Sequence, residues 1–482
     1  MGLTGGSAKD IVDGQNIVNK PDQARLMAGW ETLLVYDREY KLVFDGLAEE
    51  VTPEGSDSYV IRLREGIEFH DGKTLGADDV VYSIKRLIDP DLGLFGGAAL
   101  ASVDPKGITK EDERTVRLKL LQADSTIPDA LAQYVAGIVP DGYTGKGTSV
   151  KDGQIGTGAY VLESFTPGQE SRHSKNPNYW RSGQPFFDEV VVTDFPDDAA
   201  RVNALLAGQV DAITDVPFAQ VQVIQDKSGE LTLFENEGGG WLPLCMAIDQ
   251  EPFTDVRVRQ AFRLIVDRDQ MVQQALAGHG RIANDMYGVF DPAYPADFPQ
   301  RAQDIDQAKS LLAEAGKEGL EIDLQTTNGG TGMVESAKVF AQQAKAAGVK
   351  VNVKVLDSGT FYGDQYLKWT FSSDFWGTRG YLNQVAAGSI PSSPYNETHW
   401  PPKDSNFEAL YKQALAETDE AARTAIVKQM YQLEYDQGGY IIPFFNNLVD
   451  SFSSKVKGFE AGRGTLNLDA FGHGFRTIWF ES

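Results

Sequence analysis

The spacing of apolar positions changes period along the chain, and each change marks a predicted element. Val60, Leu63 and Ile67 read as a strand, Asp71-Gly72 as a tight turn, and Ala77-Asp78-Asp79 as the opening of a helix. Val80, Val81, Ile84, Leu87 and Ile88 then recur at helical spacing until Pro90 stops them. An earlier helix is predicted around Asp22–Glu31, a strand over Thr115–Leu121 and a short amphipathic helix over Ile127–Tyr134. Asp141–Gly156 has no apolar period, which predicts a loop and a domain boundary. Asp198 can cap a helix carrying Val202, Leu205 and Leu206, ended by Gly208 and followed by the strand Val-Asp-Ala-Ile. Thr254 can cap a helix with Val258, Ala261, Phe262 and Ile265 on one face, and Asp267 restarts a second that ends at Gly278.

Further on, a helix is predicted over Asp306–Ala315. A strand from Leu320, a helix over Met333–Ala347 and a strand bearing Val349, Val351, Val353 and Val355 read as a parallel crossover unit. Helices over Phe407–Glu417 and Glu420–Tyr435 precede the apolar strand Tyr-Ile-Ile-Pro-Phe-Phe, and Phe452–Phe480 reads as a β-rich tail. The class is α/β. No repeat, low-complexity tract or flexible linker separates the domains, so strands are expected to cross between lobes. Leu242–Ile248 and Ile442–Phe452 are the predicted crossings, which makes Asp249–Pro443 an inserted lobe suited to hinge closure.

At 482 residues the chain is long enough for about three domains, and 41% hydrophobic with 10% aromatic residues supports sizeable cores. A formal charge of −25 argues against nucleic-acid binding and against docking on an anionic membrane. The single Cys245, between Leu244 and Met246, excludes an intrachain disulfide and a thiolate metal cluster, and reads as a buried strand residue. No run approaches the roughly 20 apolar residues of a membrane span, and Met-Gly-Leu-Thr-Gly-Gly-Ser lacks the pattern of a signal peptide.

Candidate chemistry is sparse. His70, His173, His279, His399 and His473 are scattered with no ligand spacing, so no metal site is predicted; His70, beside a turn, is expected to bond backbone. Gly156-Thr-Gly-Ala-Tyr-Val lacks the third glycine and the following helix of a dinucleotide loop, so its glycines point to close backbone packing or positive φ. No nucleophile elbow or phosphate loop occurs, and 69 acidic residues make chance carboxylate pairs uninformative. Neither a catalytic site nor a cofactor is predicted. Among the tryptophans, Trp369 and Trp400 read as core, whereas Trp241, beside a glycine run, and Trp376 are candidates for contact with a solute.

Several strings resemble one family. Leu-Arg-x-Gly-x-x-Phe-His-Asp-Gly within 63–72, Trp30-Glu31-Thr32-Leu33, Gly46-Leu47-Ala48-Glu49, Asn176-Pro-Asn-Tyr-Trp and Phe253–Gly278 follow, in order, the pattern of extracellular solute-binding proteins of peptide-type ABC importers, family 5. The resemblance implies a two-lobe, three-domain, periplasmic-binding-protein-like fold (type II) with hinge strands between the lobes. Lobe one would hold 1–50, 155–245 and 448–482, with an extra domain at 51–154, and lobe two 246–447. It implies a monomer outside the cytoplasm, a mature form lacking its signal peptide that begins inside the first strand. Such a protein captures a peptide or other small molecule and hands it to the transmembrane subunits of an ABC permease. Its only membrane link would be the permease or a removed lipid anchor.

The resemblance also places Asp374-Phe-Trp-Gly-Thr-Arg-Gly-Tyr381 at the solute loop, with Trp376 lining it and Tyr381 beside it. Here the family's peptide binders carry an aspartate three residues after the tryptophan, where this chain has Arg379. A guanidinium repels an ammonium and suits a carboxylate or phosphate, so Arg379 favours an anionic, opine-like or polyhydroxy solute, or a peptide held in another way. Asp374, shifted in register, and Glu31 are the alternative carboxylates for an amine-bearing solute.

Overall fold

The computed structural model describes residues 1–5, 9–17, 19–464 and 473–481. The chain forms two compact units. One comprises Met1–Asn236 and Val449–Gly462 together with the C-terminal end of the chain, the other Glu237–Leu448. Both boundaries fall inside strands, Leu231–Trp241 and Phe444–Ser453. The first passage therefore comes ahead of Leu242–Ile248, because Leu244–Met246 is needed inside the second unit's sheet, between Phe371–Ser373 and Tyr440–Ile441.

In the first unit Gly2–Thr4 lies parallel to Glu189–Phe195, which continues antiparallel to Glu170–Lys175 and then Tyr160–Thr166. The helix Lys20–Gly29 packs on this sheet, capped by Asn19, whose side chain accepts from the Asp22 N–H. A second, four-stranded antiparallel sheet runs in the order Ala48–Pro53, Ser58–Leu63, Thr115–Leu120, Val103–Lys110. The helix Ala77–Leu87 lays Val80, Ile84 and Leu87 on its core with Ile61, Leu63, Val116 and Leu118. This is the strand, turn and helix read from 59–90.

His70 behaves as expected of a structural group. Its Nε2 lies 3.0 Å from the Gly158 carbonyl and its Nδ1 accepts from the Gly156 N–H, while burial pushes the imidazole down to about 4. The glycines of Gly156-Thr-Gly are there for packing: a Cβ on Gly156 would stand 2.0 Å from the Gly29 carbonyl oxygen.

The second unit is built on a five-stranded sheet ordered Lys350–Val355, Glu321–Thr326, Phe371–Ser373, Leu244–Met246, Tyr440–Ile441. The helix Met333–Ala344, extended by a 3₁₀ turn over Lys345–Ala347, connects the parallel strands Glu321–Thr326 and Lys350–Val355. Cys245 is fully buried in the interior strand Leu244–Met246. Two caps differ from the predicted residue. The carboxylate of Asp255, not the Thr254 hydroxyl, caps Val256–Leu264 by accepting from the Arg257 N–H. Asp197, not Asp198, caps Asp198–Leu206, leaving Asp198 in the first turn to accept from Thr4 and Arg201. In each case the preceding carboxylate already has the extended backbone a cap requires.

The predicted tail falls partly on 465–472, outside the described residues. Beside it, Val456–Lys457 pairs with Trp479–Phe480 and a short helix spans His473–Thr477, so the described tail is not wholly β.

Candidate functional site

The loop 374–380 leaves the sheet because its partner strand is interrupted. Pro243 has no N–H to offer the ladder, and its carbonyl accepts from the Asp374 N–H at 3.2 Å. Two residues on, Trp376 and Trp241 exchange both backbone hydrogen bonds at 2.9 Å, pinning the loop to the glycine run. That run must be glycine at Gly238, where a Cβ would sit 2.0 Å from the Asn446 carbonyl oxygen. The Gly239 N–H donates to the Thr378 hydroxyl at 3.0 Å. Alternation along the loop leaves Phe375 47% exposed and Trp376 8% exposed.

Beneath Trp376 the rings form a nearly parallel column. Trp376 lies 6.0 Å from Trp241, Trp241 5.4 Å from Tyr287, and Tyr287 5.3 Å from Tyr381, all within 18° of parallel. Trp241 and Tyr381 are fully buried and support Trp376 from below. At the other end of the column the Glu434 carboxylate accepts from the hydroxyls of Tyr287 at 2.5 Å and Tyr381 at 2.7 Å. Burial pushes this carboxyl up to about 7, the tyrosine hydrogen bonds opposing only part of the shift. On the loop itself the half-buried Arg379 guanidinium stands 5.2 Å from the centre of the Trp376 ring, a cation–π contact.

Asp374 turns inward. Its carboxylate accepts from the Phe375 N–H at 2.9 Å and from the hydroxyls of Tyr366 and Tyr362 at 3.1 and 3.2 Å. The wholly enclosed Glu397 accepts from Tyr440 O–H at 2.7 Å, Trp376 indole N–H at 3.2 Å and Cys245 S–H at 3.7 Å. Burial first, and then the charge of Asp374, hold the Glu397 carboxyl well above its usual range, and burial also raises Asp374. The two carboxyls are close enough to act on one another, a contact that raises Glu397 further and partly offsets the burial that raises Asp374. Burial, with the same carboxyls behind it, pushes the Cys245 thiol up, away from any nucleophilic role.

Glu31 lies in the first unit. Its carboxylate accepts from Tyr179 O–H at 2.7 Å, Trp180 indole N–H at 2.8 Å and Thr157 O–H at 3.0 Å, with Arg476 at 3.8 Å. It borders a cavity of about 40 Å³ that Met27, Thr32, Tyr36 and Tyr134 also line. Of the residues singled out from sequence, Trp241, Asp374, Trp376, Arg379 and Tyr381 thus gather in one unit and Glu31 stands in the other. Sequence reasoning passed over Glu397, Glu434, Tyr287, Tyr362, Tyr366 and Tyr440. Among the described residues no group of three or more His, Cys, Asp or Glu side chains could hold a metal ion.

Two sheet-based α/β units, joined by continuous strands and bearing an aromatic loop over a buried polar network, define a solute-binding protein. The particular family is shown by sequence: the chain belongs to the bacterial extracellular solute-binding proteins, family 5, whose model matches residues 43–397. It is 24% identical to the glutathione-binding protein GsiB of Escherichia coli (strain K12) over 478 residues, covering 94% of this chain and 90% of that one. Among solved structures it resembles AgaA of A. tumefaciens R10 in complex with agropinic acid, with a TM-score of 0.79, 23% identity, and coverage of 100% of this chain and 98% of that one. It also resembles the oligopeptide-binding protein AppA of Bacillus subtilis in complex with a nonapeptide, with a TM-score of 0.77, 20% identity, and coverage of 100% and 99%. The family serves ABC importers from outside the cytoplasm and binds rather than transforms its solutes, so this chain is a binding protein and not an enzyme.

Proposed function

We propose that this chain captures a small solute bearing an acidic group, an acid-bearing peptide or an opine-like compound, for delivery to an ABC permease. Trp376 supplies the flat apolar contact and Arg379 the charge, while Trp241 and Tyr381 hold the tryptophan in place. One observation carries the reading. Both carboxylates that could have met an amine are already occupied, Asp374 by three hydrogen bonds, Glu31 by three hydrogen bonds and Arg476. The guanidinium of Arg379 lies on the face of the loop tryptophan, the place where a planar fork can take a carboxylate in two parallel hydrogen bonds. AgaA with agropinic acid and GsiB with glutathione show that the family's relatives serve more than simple peptides. The protein acts as a monomer, its membrane contact confined to the permease or a lipid anchor.

Calorimetry against a panel of opines, peptides, organic acids and oligosaccharides tests this. A charged hydrogen bond of about 1.5–3 kcal/mol predicts that Arg379→Ala weakens an acid-bearing ligand roughly tenfold to hundredfold. The amide of the same ligand is expected to bind both proteins alike. An unchanged affinity for the acid would refute the role of Arg379.

A further inference from the structure

The second unit encloses a cavity of about 10 Å³ lined by Arg263, Asp285, Tyr287, Thr398, Trp400 and Glu434, with glycine backbone at 438–439. Most of the polar groups around it are spoken for. Arg263 donates four hydrogen bonds to the carbonyls of Glu434, Tyr435 and Tyr440. Asp285 accepts from Arg268, Arg301 and the Ile442 N–H, and the Glu434 carboxyl from Tyr287 and Tyr381. Two groups are left over. Thr398 Oγ1 and Trp400 Nε1, on side chains 0% and 2% exposed, have no hydrogen-bond partner in the protein. Leaving two such groups unpaired costs about 1–3 kcal/mol each.

We infer that this cavity is the binding site of one structural water, held by the Trp400 indole N–H and the Thr398 hydroxyl. The size admits a single water and nothing larger. The chemistry narrows the choice in the same direction. An indole nitrogen only donates, so the occupant must accept, which rules out an ammonium or a metal cation. A halide could accept there too, and a bromide signal distinguishes it from water. Water accepts from Trp400, exchanges a hydrogen bond with Thr398, and keeps a proton to offer the carboxyl side of the cavity. The site lies one residue beyond Glu397, so the water would steady the segment that anchors the Trp376 indole. This inference is independent of the solute.

A crystal structure that resolves ordered solvent should show one water peak about 2.7–3.2 Å from both Trp400 Nε1 and Thr398 Oγ1. A cavity without density there, or an anomalous peak in it from bromide-grown crystals, would overturn the assignment. A double-mutant cycle supplies a second readout. Because Thr398→Val and Trp400→Phe each remove a partner of the same water, the double variant should lose well under the sum of the single losses in Tm. Strictly additive losses would also overturn it.

Discussion

Glu434 offers a sharp test of whether the ring column is built on a buried titratable group. Its carboxyl rises from 4.5 to about 7 in the folded protein, chiefly through burial. Below pH 4.5 both the folded and unfolded chains hold the proton. Between pH 4.5 and 7 the unfolded chain releases it while the folded one keeps it, so stability falls as pH rises through this window. The fall ends once the folded group has also ionised, and it amounts to about 3 kcal/mol. Glu434→Gln keeps the shape and removes the charge. Tyr287, which also lies 2.9 Å from the Ser389 hydroxyl, can turn its proton there and accept from the new amide. The variant should therefore match the parent near pH 5 and exceed it near pH 8. For a unit of this size the gain corresponds to roughly 6–12 °C in Tm. Thermal melts followed by tryptophan fluorescence, which reports on Trp241 in the column, read the difference between the two proteins at each pH. Other buried carboxyls contribute equally to both proteins and cancel. Two stability curves that run parallel from pH 5 to 8 would refute the argument.

The opposite sign is expected at His70, whose imidazole is pushed down to about 4 by burial. Its contribution is present above pH 6.5 and lost as pH falls toward 4, by up to about 3 kcal/mol. His70→Gln should flatten the acid limb, read as urea midpoints at pH 6.5 and 4.5. Gly238→Ala drives a methyl group against the Asn446 carbonyl, and a loss of about 1–3 kcal/mol in denaturant melts is expected. Trp376→Phe keeps a ring but deletes the N–H that Glu397 accepts, so it should cost about 1–3 kcal/mol and weaken the solute measurably by calorimetry.

What could be read from sequence was local. The helix Ala77–Leu87 announces itself by its apolar spacing and by the carboxylate of Asp79, which reaches back to the Gly76 N–H. The caps at Asp197 and Asp255 were misplaced by one residue because two adjacent residues in each string can both cap, and only backbone dihedrals choose between them. The passage between units was placed too late for a related reason. Apolar runs such as Leu242–Ile248 mark burial, which a central strand within one unit and a strand joining two units share.

The loop around Trp376 was legible through its string, yet its foundations were not. Glu397 reaches Trp376 across 21 residues and Tyr440 across 43, and Glu434 reaches Tyr287 across 147. No periodicity links such distant positions. In a chain with 69 acidic residues, nothing in composition separates these two carboxyls from the rest. Folding separates them by desolvation: both are stripped of water and surrounded by tyrosine and tryptophan donors, so each is held above its ordinary range while surface carboxylates such as Glu54 are held below it by their arginine partners. Burial also distinguishes Asp374 from Arg379 on the same loop. Asp374 is drawn inward, where two tyrosine hydroxyls and the Phe375 N–H hydrogen-bond its carboxylate. Arg379 stays half-buried over an aromatic face, its guanidinium 5.2 Å from the centre of the Trp376 ring.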